Sequence, residues 1–476
     1  MAPSLQSIGR VGWDLLMKQC APDSAPETVI LSPLSITMAL GMLAGGADES
    51  KKLGLSTKLG LQNAGELESV LHPLHTTLCG DAKDGPLALA NAVFTDQSVT
   101  LFPAYQNFLK GFNAEHKQYP NLAEAASDIN AWISDNTRGL IRDMLSPASL
   151  TNSHLALVNA IGFKGTWQTK FEPRDTRKET FSVTKDKETE VDMMYLRSQH
   201  LSSLETSTYK AVRLPYTLPE SYPSTSLFAY LPNEGTSLSA VLEDIVKNGS
   251  AGDQFTSKKY DEFGFPKFEI DSKFSLVETL EKLDYPIGGA YTEMAEGQNQ
   301  VQTIAHQAYV KVDEEGTEAS GATAVIMTRS MNFDPKSLVF NRPFVFAIAS
   351  DKPDAILFAG IYSAPRLALS MAASVSTWSK EASACTASTS GPSFNSVLAL
   401  NVWTKIAMGL TDDAPLSREP LSTGRWMEAR KERLVIVYIR PSGASQPAIS
   451  TVIEAAIVAK TGLNRAVPGS GDSGKQ

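Results

Sequence analysis

Between Thr303 and Val312 the side chains alternate so that Ile304, His306, Ala308, Val310 and Val312 fall on one face, which predicts a β-strand. A helical period governs AASDINAWISDNTRGLIRDML instead, where Ile129, Trp132 and Ile133 recur at three- and four-residue steps and Gly139 is placed to end the helix. The opening MAPSLQSIGRVGWDLLMKQ is amphipathic and lacks the continuous apolar core of a signal peptide. No stretch reaches the roughly 18 apolar residues of a membrane span. Residues 1–365 alternate helical and strand patterns without internal repeats, which predicts one mixed α and β domain. From Leu367 onward come clusters such as AASVSTWSKEASACTASTSGPS. Residues 366–476 are therefore expected to form a mostly low-complexity, disordered C-terminal extension, with a helix around 394–410 and a strand at Leu434–Ile439.

The strand at Thr303–Val312 runs into EEGTEASGATAVIMTRSM, Glu314 to Met331, where small residues dominate up to a single arginine. From Thr317 a period of two sorts this stretch into an uncharged face of Thr317, Ala319, Gly321, Thr323, Val325 and Met327, and an opposite face whose one charge before Arg329 is Glu318. The pattern fits a strand, yet Gly316, Gly321 and the alanines form strands poorly. Two readings stay open: a conditional strand whose small side chains ease its entry into a sheet, or an Ala/Gly-rich surface loop. Arg329 before Ser330 suits a trypsin-like protease, whose specificity pocket places a buried Asp beneath a basic side chain. The chain then leaves the stretch through Pro335 and returns to strand-like sequence at Val339 and Phe340.

Composition narrows the function. The formal net charge of -9 argues against a phosphate-binding surface, so no nucleic-acid role is expected. Cys20, Cys79 and Cys385 are too few and too far apart for a disulfide framework, and they read as isolated thiols. His72 and His75 lie three apart on a predicted helix, where a solvated face outweighs a zinc site because no further ligand pair is near. Glu314-Glu315 reads as solvated charge rather than an acid/base pair. The tail GSGDSGKQ imitates a protease serine context and a phosphate loop, but it lacks the folded partners of the first and the Ser or Thr and helix that follow the second. The acceptor triplet Asn248-Gly249-Ser250 matters only in a secreted chain.

Several of these stretches together resemble the serpin family. LSPLSITMALGMLAGGA (31–47) is similar to its early helix and LALVNAIGFKGTW (155–167) to its central strand. FPKFEIDSKFSLVETLEKL (265–283), EEGTEASGATA (314–324), NRPFVFAI (341–348) and LFAGIYSAP (357–365) follow in the family's order, so that nearly all of residues 1–365 is covered.

The resemblance implies an α+β serpin fold for residues 1–365, with three β-sheets, about nine helices and an exposed reactive loop that can join a main sheet as an extra strand. That strand addition is established for serpins generally. Residue by residue, Glu315, Gly316, Thr317, Glu318, Ala319, Ser320, Gly321, Ala322 and Thr323 match the hinge of inhibitory members. Ser32, Ser35, Asn159 and His306 match the polar shutter where the sheet parts, and Trp167 marks the breach where insertion begins. Side-chain chemistry places the reactive bond at Arg329-Ser330, whereas the family's usual spacing from Glu314 places it after Ser330.

The implied function is a suicide-type inhibitor of trypsin-like serine proteases, with cysteine proteases as additional targets. The alternative is a non-inhibitory serpin-like binding protein or chaperone. Either is expected to act as a monomer, without catalysis of its own, cofactor, metal, nucleic acid or membrane. LESVLHPLHTTL carries no Lys or Arg where the family's heparin helix lies, so no glycosaminoglycan cofactor is expected. A cytoplasmic location is expected, with secretion by an atypical route, or from a longer chain than this one, left open.

Overall fold

Ser32 opens the helix that organises the centre of the molecule: its hydroxyl accepts a hydrogen bond from the Ser35 N–H at 3.1 Å, and Pro33 follows at the first helical position. The computed structural model describes residues 10–19, 27–79, 85–248, 254–296, 299–317, 336–351 and 354–365. Its first elements are α1 (Arg10–Gln19), β1 (Val29–Leu31), α2 (Pro33–Gly45), α3 (Glu49–Lys58), α4 (His72–Cys79), β2 (Leu87–Asp96), α5 (Pro103–Lys110), β3 (Ala114–Tyr119) and α6 (Ala126–Asn136). A strand-rich middle follows, with β4 (Leu155–Phe163), β5 (Gly165–Trp167), β6 (Arg177–Thr184), β7 (Lys187–Glu205), β8 (Tyr209–Thr217) and β9 (Thr225–Pro232). Then come α7 (Leu238–Asn248), β10 (Thr256–Pro266), β11 (Phe268–Ser275), α8 (Leu276–Glu281), β12 (Thr303–Val312), β13 (Gly316–Thr317), β14 (Ser337–Val339), β15 (Phe344–Ser350) and β16 (Ala355–Tyr362).

Five strands form one sheet in the order β11-β12-β4-β2-β3. At its centre β4 and β12 run parallel, in register from Ala156 opposite Thr303 to Gly162 opposite Tyr309. Every residue of β4 is buried, as the apolar run LALVNAIGF requires of a strand covered on both faces. The back face meets α2, which is buried from Pro33 to Ala44 and belongs to the larger core. The front face carries Ala90, Ala92, Ala156, Val158, Ala160 and Ala305, and these join Ile129 and Ile133 of α6 in a second, smaller core.

The α+β class holds, and the sequence-based counts need adjustment. Hydrogen bonding links the remaining strands into one 11-stranded sheet rather than two, because β7 is a continuous strand of 19 residues paired along most of β10. Ser198 takes a positive φ of 51°, and the β7–β10 pairing skips that one position while keeping the same register on either side. Among the described residues there are eight α-helices. The termination of α6 also differs in detail: the helix ends at Asn136, Arg138 takes a left-handed φ of 56°, and Gly139 at φ 77° donates its N–H to the Ser134 carbonyl at 2.7 Å.

Candidate functional site

The parallel seam between β4 and β12 is joined by side chains as well as backbone. Asn159 and His306 face each other across it, both fully buried, over the first turn of α2. The Ser32 backbone N–H donates to His306 Nε2 at 3.2 Å, so the ring proton sits on Nδ1, which donates to Asn159 Oδ1 at 2.8 Å. The Ser35 hydroxyl donates to the same Asn159 oxygen. Ser32 Oγ donates to the Leu357 carbonyl at 2.5 Å. Asn159 Nδ2 donates to Asn91 Oδ1 at 2.6 Å, and Asn91 Nδ2 passes the chain on to the Phe112 carbonyl at 3.2 Å. A satisfied polar network here costs little while the sheet is closed, and its amide, imidazole and hydroxyl groups can exchange partners if the strands separate.

Burial pushes the His306 imidazole down to about 3, against the upward pull of its Asn159 bond. A protonated ring would also turn Nε2 into a second donor facing the Ser32 N–H. An unfolded histidine binds its proton below about pH 6.5. The stability tied to neutral His306 is thus complete above pH 6.5 and is lost as pH falls from there toward 3. Between pH 7.5 and 5 this should lower the stability read from urea transitions by about 2 kcal/mol. His306→Gln should remove that portion of the pH dependence, and an equal slope in both proteins would contradict the assignment.

Above Tyr309 and Gly162 the two strands part. Beyond β4 the chain passes Lys164 and continues as β5, and β13 lies in the opening: Gly316 pairs with Thr166 and Thr317 with Gly165. On its other side the Asp313 N–H donates to the Gly316 carbonyl at 2.9 Å, which ties β13 to the end of β12. Only glycine fits at 316, where φ is 150° and a Cβ would stand 2.1 Å from the Gly165 carbonyl oxygen.

Thr317 is fully buried, with its hydroxyl 2.8 Å from that of Tyr216. Tyr216 stacks on Trp167 at 4.5 Å and 14°, and the Trp167 indole donates to the Asp313 carbonyl at 2.8 Å. The Trp167 and Phe171 N–H groups donate to the Glu315 and Glu314 carbonyls, each at 3.0 Å. Both acidic side chains are paired: Glu314 with Lys267 at 2.7 Å and with the Thr176 hydroxyl at 2.7 Å, and Glu315 with Lys170 at 2.7 Å. Burial alone would raise the Glu314 carboxyl, but hydrogen bonds from Lys267, Thr176 and its own backbone outweigh it and hold the group below the usual range.

Ser32, Ser35, Asn159 and His306 thus meet in one network, and Trp167 meets Glu315, Gly316 and Thr317 at the head of the seam. Glu318, Ala319, Ser320, Gly321, Ala322, Thr323, Arg329 and Ser330 lie outside the described residues, as does the whole of 366–476. The pair Glu314-Glu315 is not the solvated charge expected from sequence, because its turn sits inside the parted strands, where lysines meet both carboxylates. His75 is likewise buried, and His72 packs edge-on to Phe112 at 4.5 Å rather than on a solvated face. Cys79 is a buried thiol pushed up to about 12 by burial. Asn91, Tyr216, Lys170 and Lys267 were not singled out by sequence reasoning. Asn91 stands opposite Asn159 in the β2–β4 pairing, a cross-strand relation that no local period reveals.

A family model described as Serpin (serine protease inhibitor) matches residues 6–365. Serine protease inhibitor 42Dd of Drosophila melanogaster is 33% identical over 342 residues, which span 68% of this chain and 88% of that protein. Among solved structures, AtSerpin1 of Arabidopsis in its native stressed conformation superposes with a TM-score of 0.67 at 27% identity, over 76% of this chain and 98% of that one. Human thyroxine-binding globulin in complex with its hormone superposes with a TM-score of 0.66 at 23% identity, again over 76% and 98%, a likeness that bears on fold alone.

Proposed function

Because this chain belongs to the serpin family, we propose that it is a suicide-type inhibitor of trypsin-like serine proteases, which traps the acyl-enzyme by drawing its cleaved reactive loop into the five-stranded sheet. The protease serine attacks the Arg329 carbonyl, the Arg329–Ser330 peptide bond breaks, and the Ser330 amine leaves while an ester holds the enzyme to Arg329. Residues 317–329 then enter between β4 and β12. At roughly 3.3 Å per residue, about 13 residues carry the tethered enzyme some 40 Å. A displacement of even about 1 Å at the catalytic serine slows hydrolysis of the ester, since that step depends on positioning.

The observation that carries this reading is the placement of Gly316 and Thr317. They pair with β5 on one side, and Gly316 is bonded to Asp313 at the end of β12 on the other. Continued downward, the first pairing brings Thr323 opposite Asn159, and the second brings Thr323 opposite His306. Asn159 and His306 are already partners across the seam. Both edges therefore ask for the same register, and an entering strand can zip without slipping. Thr323 would share the buried face of Thr317 and offer its hydroxyl to the two groups that it separates.

A non-inhibitory binding role is the second reading, in keeping with the thyroxine complex of the fold relative. Incubation with trypsin separates the two. An inhibitor gives a covalent band stable in SDS, with Arg329 at the new carboxyl end in mass spectrometry. Cleavage without a complex, or cleavage solely elsewhere, would overturn the assignment.

A further inference from the structure

The two acids before β13 are paired with lysines from different segments of the chain. Glu314 is held by Lys267, the residue that precedes β11, and by Thr176 and the Phe171 N–H from the segment beyond β5. Glu315 is held by Lys170, three residues beyond β5. The Glu314 carboxylate has a second partner in Thr176, whereas Glu315 makes its ion pair with Lys170 in a partly buried position, with 30% and 22% of the two side chains exposed. Between these anchors the backbone of the Trp167–Phe171 segment donates to both acidic residues' carbonyls.

We propose that Lys170 and Glu315 are a positioning pair, which keeps Gly316 and Thr317 docked as the seed of the inserted strand. The role in inhibition rests on the insertion reading above, but the docking itself does not. Since β13 already has the register that the full strand would take, the pair is compatible with both the closed and the inserted sheet. What it disfavours is the hinge leaving the cleft. An ion pair that merely braced the closed sheet would have to break on insertion, and losing it would quicken trapping. A seed-holding pair predicts the reverse.

Lys170→Met keeps the aliphatic stem and removes the charge, and Glu315→Gln removes the other partner. In the intact protein, hydrogen exchange at the Trp167 and Phe171 amides should quicken roughly three- to tenfold in either variant, in proportion to the strength of a partly buried ion pair. The number of inhibitor molecules consumed per trypsin trapped should rise several-fold. The charge-swapped double variant, Lys170→Glu with Glu315→Lys, should restore slow exchange. Unchanged exchange in both single variants would overturn the pair's positioning role while leaving the inhibitor reading untouched. Faster exchange with unchanged or lower inhibitor consumption would overturn its part in seeding. If the parent protein forms no trypsin complex, the inhibitor reading fails, and the exchange measurements still decide whether the pair holds β13.

Discussion

Thr317→Arg is expected to turn the protein from an inhibitor into a substrate, with the SDS-stable trypsin band lost and more than about tenfold more protein cleaved per enzyme trapped. Thr317 is fully enclosed, its hydroxyl meets Tyr216, and its backbone pairs with Gly165. An arginine cannot be buried there unpaired, since desolvating its charge costs several kcal/mol. The hinge must then leave the cleft, and the zip loses its first tooth. The fold should survive, because β13 contributes two residues at the margin of the sheet and neither core cluster depends on it. A Thr317→Arg protein that is well folded and still traps trypsin one for one would contradict insertion as the mechanism.

Cleavage of the reactive bond is expected to raise the melting temperature by about 15 °C or more. Insertion replaces the single β4–β12 ladder by two ladders, a net gain of roughly one hydrogen bond for each of about 13 inserted residues. At about 0.5–1.5 kcal/mol each, the gain is on the order of 10 kcal/mol. Over a domain of this size the entropy of unfolding converts that sum to about 15 °C. The uncleaved protein is then a kinetically trapped state, and calorimetry of intact and nicked samples compares the two directly. An unchanged transition after cleavage would show that the loop stays outside the sheet.

How far the site could be foreseen depended on how local its signals are. The alternation from Ile304 to Val312 placed His306 on the buried face of a strand, because a period of two needs nothing beyond neighbouring residues. The helix that Ser32 caps was reached only through the family likeness of residues 31–47. That these residues meet Asn159 followed from family likeness, since a parallel pairing between segments some 147 positions apart leaves no trace in either segment alone. Tyr216, Lys170 and Lys267 were missed on that account. The carboxylates of Glu314 and Glu315 were misjudged because charge predicts exposure only where no lysine has been folded against it. The merging of two expected sheets into one reflects the uninterrupted length of β7, which passes a positive φ at the non-glycine Ser198 that a pattern of alternating side chains cannot announce.

The alanines beneath α6 have a mechanical consequence. Ala90, Ala92, Ala156, Ala160 and Ala305 keep much of the sheet's front low beneath Ile129 and Ile133, while Phe94, Val158 and Tyr309 are the larger side chains of the same cluster. If the sheet widens by one strand, that low floor slides sideways under the helix as under a bearing, and the edge-on contact of Trp132 with Phe94 is the knob it has to shear.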